Sequence, residues 1–169
     1  MEYLEYHPTD WDKVFASERD NLLFLLPQYK INVEHIGATS INNCRSFRNV
    51  DILVSTHDFK DVHTIAMLLC SKEYKELKEL STVDCVVLVK KYKVNTKYGV
   101  TVRVVQYASD IYNRIISFRL LLKDSYDRVQ KYNIFRENLF KQVGCDITKY
   151  NQVKYDFINQ QIDEFYKFE

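Results

Sequence analysis

The residues of this chain that could do chemistry crowd into one stretch, residues 33–54, which reads VEHIGATSINNCRSFRNVDILV. Gly37-Ala38-Thr39-Ser40 ends an alternating segment at residues 31–36. A glycine followed by small hydroxyl residues can bring backbone N–H groups and two hydroxyls close to a phosphate. A helix opening at Thr39 or Ser40 would add its free N–H groups to that attraction. Asp51 is the one acid in the otherwise apolar run 50–54, and a charge so placed needs a partner or a job. It could be a metal ligand, the partner of an arginine, or a carboxylate fixed by hydrogen bonds. An arginine partner is favoured, because an isolated buried carboxylate is costly. Glu34 and His35 are adjacent on a strand and so face opposite ways. A general-base His35 is the rarer reading, a hydrogen-bonded structural histidine the commoner one. Cys44 lies beside Arg45 and Arg48, cations that could lower a thiol pKa, but no local histidine could activate it and it reads as incidental.

The frame around this stretch is that of an intracellular globular protein. At 169 residues the chain fits one domain, an α/β part over 1–108 followed by a helical part over 109–169. Its 24 basic and 23 acidic residues give a formal charge of +1, which argues against a grip on long nucleic acid. Cys44, Cys70, Cys85 and Cys145 show neither paired CxxC spacing nor zinc-finger histidines. They read as reduced, mostly buried thiols of a cytoplasmic protein. The acidic, aromatic start MEYLEYHPTDW is no secretory leader, and no apolar run reaches the ~20 residues needed to span a bilayer.

Periodicity supplies the elements. Thr9 or Asp10 can cap a first helix with Trp11, Val14, Phe15, Leu22, Leu25 and Leu26 inward, ended by Pro27. The apolar run from 50 to 54 has the pattern of a strand covered on both faces. Asp58 can cap a helix whose stripe is Phe59, Val62, Ile65, Ala66 and Leu69, leaving His63 in solvent. The segment KEYKELKEL fits a charged helix or an irregular edge. Residues 85–91 and 100–107 read as a hairpin around VNTKYG, with the lysines of KKYKVNTK as a solvated edge rather than a nucleic-acid track. The chain is then helical to its end. Ser109 or Asp110 can cap a helix with Ile111, Ile115, Phe118 and Leu122 inward. Asp124 or Ser125 can cap the next, which buries Tyr126, Val129, Tyr132, Leu139 and Phe140 and closes at Gly144. Thr148 opens the last, with Val153, Phe157, Ile162 and Phe165. The abundant tyrosines read as helix packing rather than base stacking.

Two blocks in this order resemble the GrpB family, a branch of the nucleotidyltransferase superfamily. One is Glu34-His35-Ile36-Gly37-Ala38-Thr39-Ser40-Ile41 with the acid Asp51 in Asp-Ile-Leu-Val. The other is Phe118-Arg119, Tyr132 with Arg136 and Leu139, then Tyr150-x3-Lys154-x2-Phe157-Ile158. The resemblance implies an α+β fold, a nucleotidyltransferase-like mixed sheet flanked by helices, with a C-terminal helical bundle. In that superfamily such a turn holds a triphosphate, and two acids one residue apart hold magnesium. Residues i and i+2 of a strand share a face, so two carboxylates can share a hard cation. Here the second position is Leu53, and the strand expected to carry the third acid offers Thr101 and Arg103. Asp51 alone is a poor two-metal platform.

The resemblance therefore leads to a protein that binds a nucleotide or other phosphate-bearing small molecule, with transferase activity degenerate or absent. Gly37, Ala38, Thr39 and Ser40 would form the seat. Arg45, Arg48 and Arg103 would place permanent cations near it. Arg119, Arg136 and Lys154, on different helices, are expected to converge on the crevice beside the turn. No cofactor is firmly implied; Mg²⁺ is left open through Asp51. An active Mg²⁺-dependent transferase would use Asp51 with Glu34. A third reading is an interaction module with a vestigial site. The sequence fixes neither self-association nor ligand.

Overall fold

A computed structural model describes residues 10–90, 98–144 and 146–167, with Ile147 described by its backbone alone. Helix α1 (Trp11–Leu25) is capped by Asp10, whose carboxylate accepts the Lys13 amide at 3.2 Å. Strand β1 (Ile31–Ile36), a single 3-10 turn (Ala38–Ser40) and strand β2 (Asn49–Thr56) follow. Helix α2 (Phe59–Cys70) carries the expected Asp58 cap. The ambiguous KEYKELKEL segment is an irregular edge: strand β3 (Tyr74–Glu76), anchored by the fully buried Tyr74, and then a turn. Strands β4 (Cys85–Lys90) and β5 (Gly99–Gln106) form the expected antiparallel pair. Thr9, Cys145 and the lysines beyond Lys90 in KKYKVNTK lie outside the described residues.

The sheet order is β1-β2-β5-β4-β3, mixed because β2 runs parallel to β5 and the other pairs are antiparallel. Alternation splits it into two faces. On one, Val50, Ile52, Val54, Val86, Leu88, Val100, Val102 and Val104 pack under α1 and α2 through Leu22, Leu26, Val62, Ile65 and Leu69. The other face is mixed. Ile36, Leu53, Cys85, Val87 and Val105 pack there under Ile111 and Ile115 of helix α3 (Asp110–Lys123). Glu34, Asn49, Asp51, Thr101 and Arg103 give the rest of that face its polar part.

Helices α4 (Tyr126–Val143) and α5 (Ile147–Tyr166) complete a bundle with α3, joined through Phe118, Leu122, Val129, Tyr132 and Phe157. Ser109 and Ser125 cap α3 and α4, and Gly144 at φ 59° ends α4. The last helix opens at Asp146, not Thr148, because the Asp146 carboxylate reaches the Lys149 amide at 3.0 Å. Three residues expected inward are exposed: Phe59 (37%), Tyr126 (64%) and Val153 (36%). Phe59 and Tyr126 are the first residues of their helices, where the face is not yet covered. Asn133 and Arg136 instead fill the inner face of α4, at 3% and 5% exposure.

Candidate functional site

The antiparallel register sets Ile36 opposite Asp51, so the turn after β1 arrives beside the acid of β2. Gly37 has φ +70°, and a Cβ built there would lie 2.5 Å from Asp51 Oδ2. Both the backbone conformation and the close approach therefore demand glycine. The turn beyond is short and internally bonded. The Ser40 amide and hydroxyl donate to the Gly37 carbonyl at 3.1 and 2.7 Å, and the Ile41 amide donates to Ala38 at 3.2 Å. The Thr39 hydroxyl meets His35 Nε2 at 2.9 Å. Neither Thr39 nor Ser40 opens a longer helix, so there is no macrodipole there for an anion to use. Both hydroxyls already have protein partners, which a ligand would have to share or replace.

His35 is structural. Its ring stacks on Phe15 at 4.8 Å, and burial lowers its pKa to about 4. It is thus neutral at physiological pH. The sequence had set it back to back with Glu34, and the structure agrees. The Glu34 carboxylate accepts Arg119 Nη2 at 3.0 Å and the Tyr112 hydroxyl at 2.9 Å, while Arg119 Nη1 donates to the His35 carbonyl at 2.8 Å. Arg119 and Glu34 bolt α3 to β1. Arg119 does not join the other helical cations.

Asp51 faces the polar side of the sheet beside Thr101, its register partner on β5, with Arg103 one position further along that face. Its Oδ1 accepts Asn49 Nδ2 at 3.0 Å, and Asn49 also bonds the Thr101 hydroxyl at 3.1 Å. The direct pairing of Asp51 with Arg103 or Arg48 is not made. Arg103 instead donates to the Tyr155 hydroxyl, with its guanidinium 5.4 Å from that ring's centroid. Asn49 shares a face with Asp51 by strand alternation, the one signal of its role that the sequence carries.

The cations act on Asp51 through space. Burial raises its pKa, and Lys154, then Arg103, then Arg136 pull the other way. Lys154 comes from α5, where its Nζ donates to Asn151 Oδ1 at 3.0 Å. Burial lowers its pKa to about 7, with Arg103 pushing in the same direction and Asp51 opposing. Asp51, Arg103 and Lys154 each retain some solvent contact, yet burial is the strongest influence on the proton affinity of each. The three groups are thus poorly hydrated without being sealed from solvent.

Arg136 and Asn133 brace the loop between turn and β2. Arg136 Nη1 donates to the Arg45 carbonyl at 2.6 Å, and its Nε to the Tyr150 hydroxyl at 3.3 Å. Asn133 accepts the Arg45 amide at 2.9 Å and donates to the Asn43 carbonyl at 3.0 Å. The Arg45 side chain pairs with Glu137 at 2.8 Å, and Arg48 is exposed. Cys44 is buried against Arg136 and Asn133, and burial pushes its thiol pKa up, so it is no nucleophile. Elsewhere, a hollow of about 370 Å³ opens between α3, α4 and α5, lined by Phe118, Tyr132, Phe157 and Phe165.

Mg²⁺ does not fit this donor set. Asp51 is the lone carboxylate beside Asn49, Thr101, Arg103 and Lys154, Glu34 on the same face is engaged by Arg119, and Leu53 offers no oxygen. Among the described residues no three His, Cys, Asp or Glu side chains are grouped to hold a metal. What the arrangement can do is attract an anion: Arg103 and Arg136, joined by Lys154 when it is protonated, act on a single acid.

Known proteins share this frame. The glutamate-rich protein GrpB of Alkalihalophilus pseudofirmus is 25% identical over 161 residues, which cover 94% of this chain and 92% of that protein. The crystal structure of the conserved protein GrpB from Enterococcus faecalis matches with a TM-score of 0.75 at 22% identity, over 96% of this chain and 98% of that one. The Cid1 poly(U) polymerase matches with a TM-score of 0.51 at 11% identity, over 81% of this chain but only 41% of its own. That likeness is one of fold, which is nucleotidyltransferase-like. A family profile described as GrpB protein matches residues 3–164, and the chain belongs to the GrpB family.

Proposed function

We propose that this protein binds a phosphate-bearing small molecule, such as a nucleotide, in the crevice between the Gly37 turn, the polar sheet face and α5, and carries little or no transferase chemistry. The observation that supports this reading is the charge balance: Arg103, Arg136 and Lys154 face Asp51 alone. Uncompensated cations in a poorly hydrated crevice favour an anionic guest, and the planar arginine fork suits phosphate oxygens. Leu53 and Arg103, standing where a metal-dependent enzyme needs carboxylates, count against two-metal transfer. The thiols of Cys44 and Cys85 fit a reducing, cytoplasmic setting. No described helix is long and apolar enough to cross a membrane.

A thermal-shift screen of nucleotides and phosphorylated metabolites, with and without Mg²⁺ or Mn²⁺, tests the reading. A true ligand at a hundred times its Kd stabilises the fold by about 2.7 kcal/mol, and Arg103→Met removes that gain. Mg²⁺-dependent release of pyrophosphate from a nucleoside triphosphate, lost in Asp51→Asn, would instead reveal an active transferase. A flat response to every compound, with partner capture or self-association through the helical bundle, would point to an interaction module.

A further inference from the structure

Lys154 differs from the other cations that face Asp51. Arg136 is tied to the Arg45 carbonyl, the Tyr150 hydroxyl and the Tyr132 ring, and Arg103 to Tyr155. A guanidinium keeps its charge throughout the range in which proteins fold. Lys154 has no ion-pair partner among the described residues. Its Nζ bonds one amide oxygen, Asn151 Oδ1, and lies 5.7 and 5.2 Å from the Tyr150 and Tyr155 ring centroids. A neutral amine can still make that hydrogen bond, more weakly than an ammonium. The charged and titratable groups facing it are Asp51 from β2, Arg103 from β5, Arg136 from α4, and Tyr150 and Tyr155 from its own helix.

Two permanent positive charges stand against one carboxylate, whose own charge burial disfavours. An ammonium at this point is repelled and poorly solvated, in keeping with a proton held only up to a pH of about 7. An anion in the crevice would reverse that balance, since a nearby negative charge favours the protonated amine. Building on the anion-binding reading above, we propose that Lys154 is the proton-coupled element of the crevice. An anion seated beside Arg103 draws a proton from solvent onto the Lys154 amine, which then supplies the positive charge that a divalent cation would otherwise bring. Binding therefore takes up a proton, needs no metal, and weakens as pH rises above neutrality.

Sulfate is a suitable probe, because it stays a dianion throughout the range and adds no titration of its own. Competitive acylation of the whole chain over a pH series, read by mass spectrometry, gives the midpoint for Lys154. The expected midpoint is about 7 in chloride. In sulfate at equal ionic strength it should move up by about one pH unit or more. NMR titrations with sulfate should give the same affinity in EDTA as in Mg²⁺. That affinity should fall with rising pH by at most about tenfold per unit, the limit for one linked proton. Lys154→Arg, which cannot lose its charge here, should bind sulfate with an affinity flat in pH. A chloride midpoint near the ordinary 10.5 overturns the proposal. Sulfate binding that leaves the midpoint unmoved, or that requires Mg²⁺, overturns the coupling while the anion reading stands. No sulfate binding at any pH overturns both.

Discussion

Alternate residues of β2 belong to two different environments. Val50, Ile52 and Val54 are wholly buried under α1 and α2, in a face built from valine, isoleucine and leucine. One position along, Asn49 and Asp51 turn to the opposite face and meet Thr101 and the field of Arg103 and Lys154. The first face removes apolar surface from water, which is what stabilises the domain. The second holds charges in poor solvation, which costs stability and is tolerable only because the first is sound. One strand serves both because its side chains alternate, so the site is as rigid as the core behind it.

Substitutions on the two faces should separate these roles. The largest effect belongs to the core: Ile52→Ala should cost about 2–5 kcal/mol in urea unfolding, while any anion affinity of the folded fraction changes little. Gly37→Ala comes next, at about 1–3 kcal/mol, because the new Cβ meets Asp51 Oδ2 in a backbone region hostile to alanine. Combining it with Asp51→Ser should recover part of that loss. Additive losses would show that the backbone alone makes the glycine necessary.

The smallest effect has the opposite sign. Lys154→Met should stabilise the free protein at neutral pH by about 1–2 kcal/mol while weakening anion binding. The wild type should itself gain stability as pH rises from about 7 toward 10.5, because there the unfolded chain holds a proton that the folded one has released. The methionine variant should lack that rise. If Lys154→Met destabilises instead, the polar face is part of the scaffold and the contrast between faces fails.

What the sequence disclosed follows the range of the forces involved. Caps at Asp58, Ser109 and Ser125 and the stop at Gly144 are settled within a turn of the chain, and all were legible. The cover on both faces of β2 was legible too, because so apolar a run fits a strand packed from both sides. Gly37 and Asp51 could be brought together from sequence because consecutive strands commonly pair. Which helical cation reaches the sheet was another matter. Arg119 and Lys154 look alike along the chain, yet one is spent on Glu34 and the other faces Asp51, a difference set by how α3 and α5 are rotated on the sheet. Tyr126 and Val153 were misplaced for a related reason: helical spacing identifies a stripe but not where its cover ends. Asn49 and Asn133, the amides that hold the acid and the loop, have no signature beyond position.

Asn133 and Arg136 grasp the loop by the Asn43 carbonyl and the amide and carbonyl of Arg45. A clamp on peptide groups is indifferent to what those residues carry outward. The loop can thus be rewritten at Asn42 and Arg45 while the course of the chain stays put, whereas Asn43, at φ 60°, is held to residues that tolerate the left-handed region.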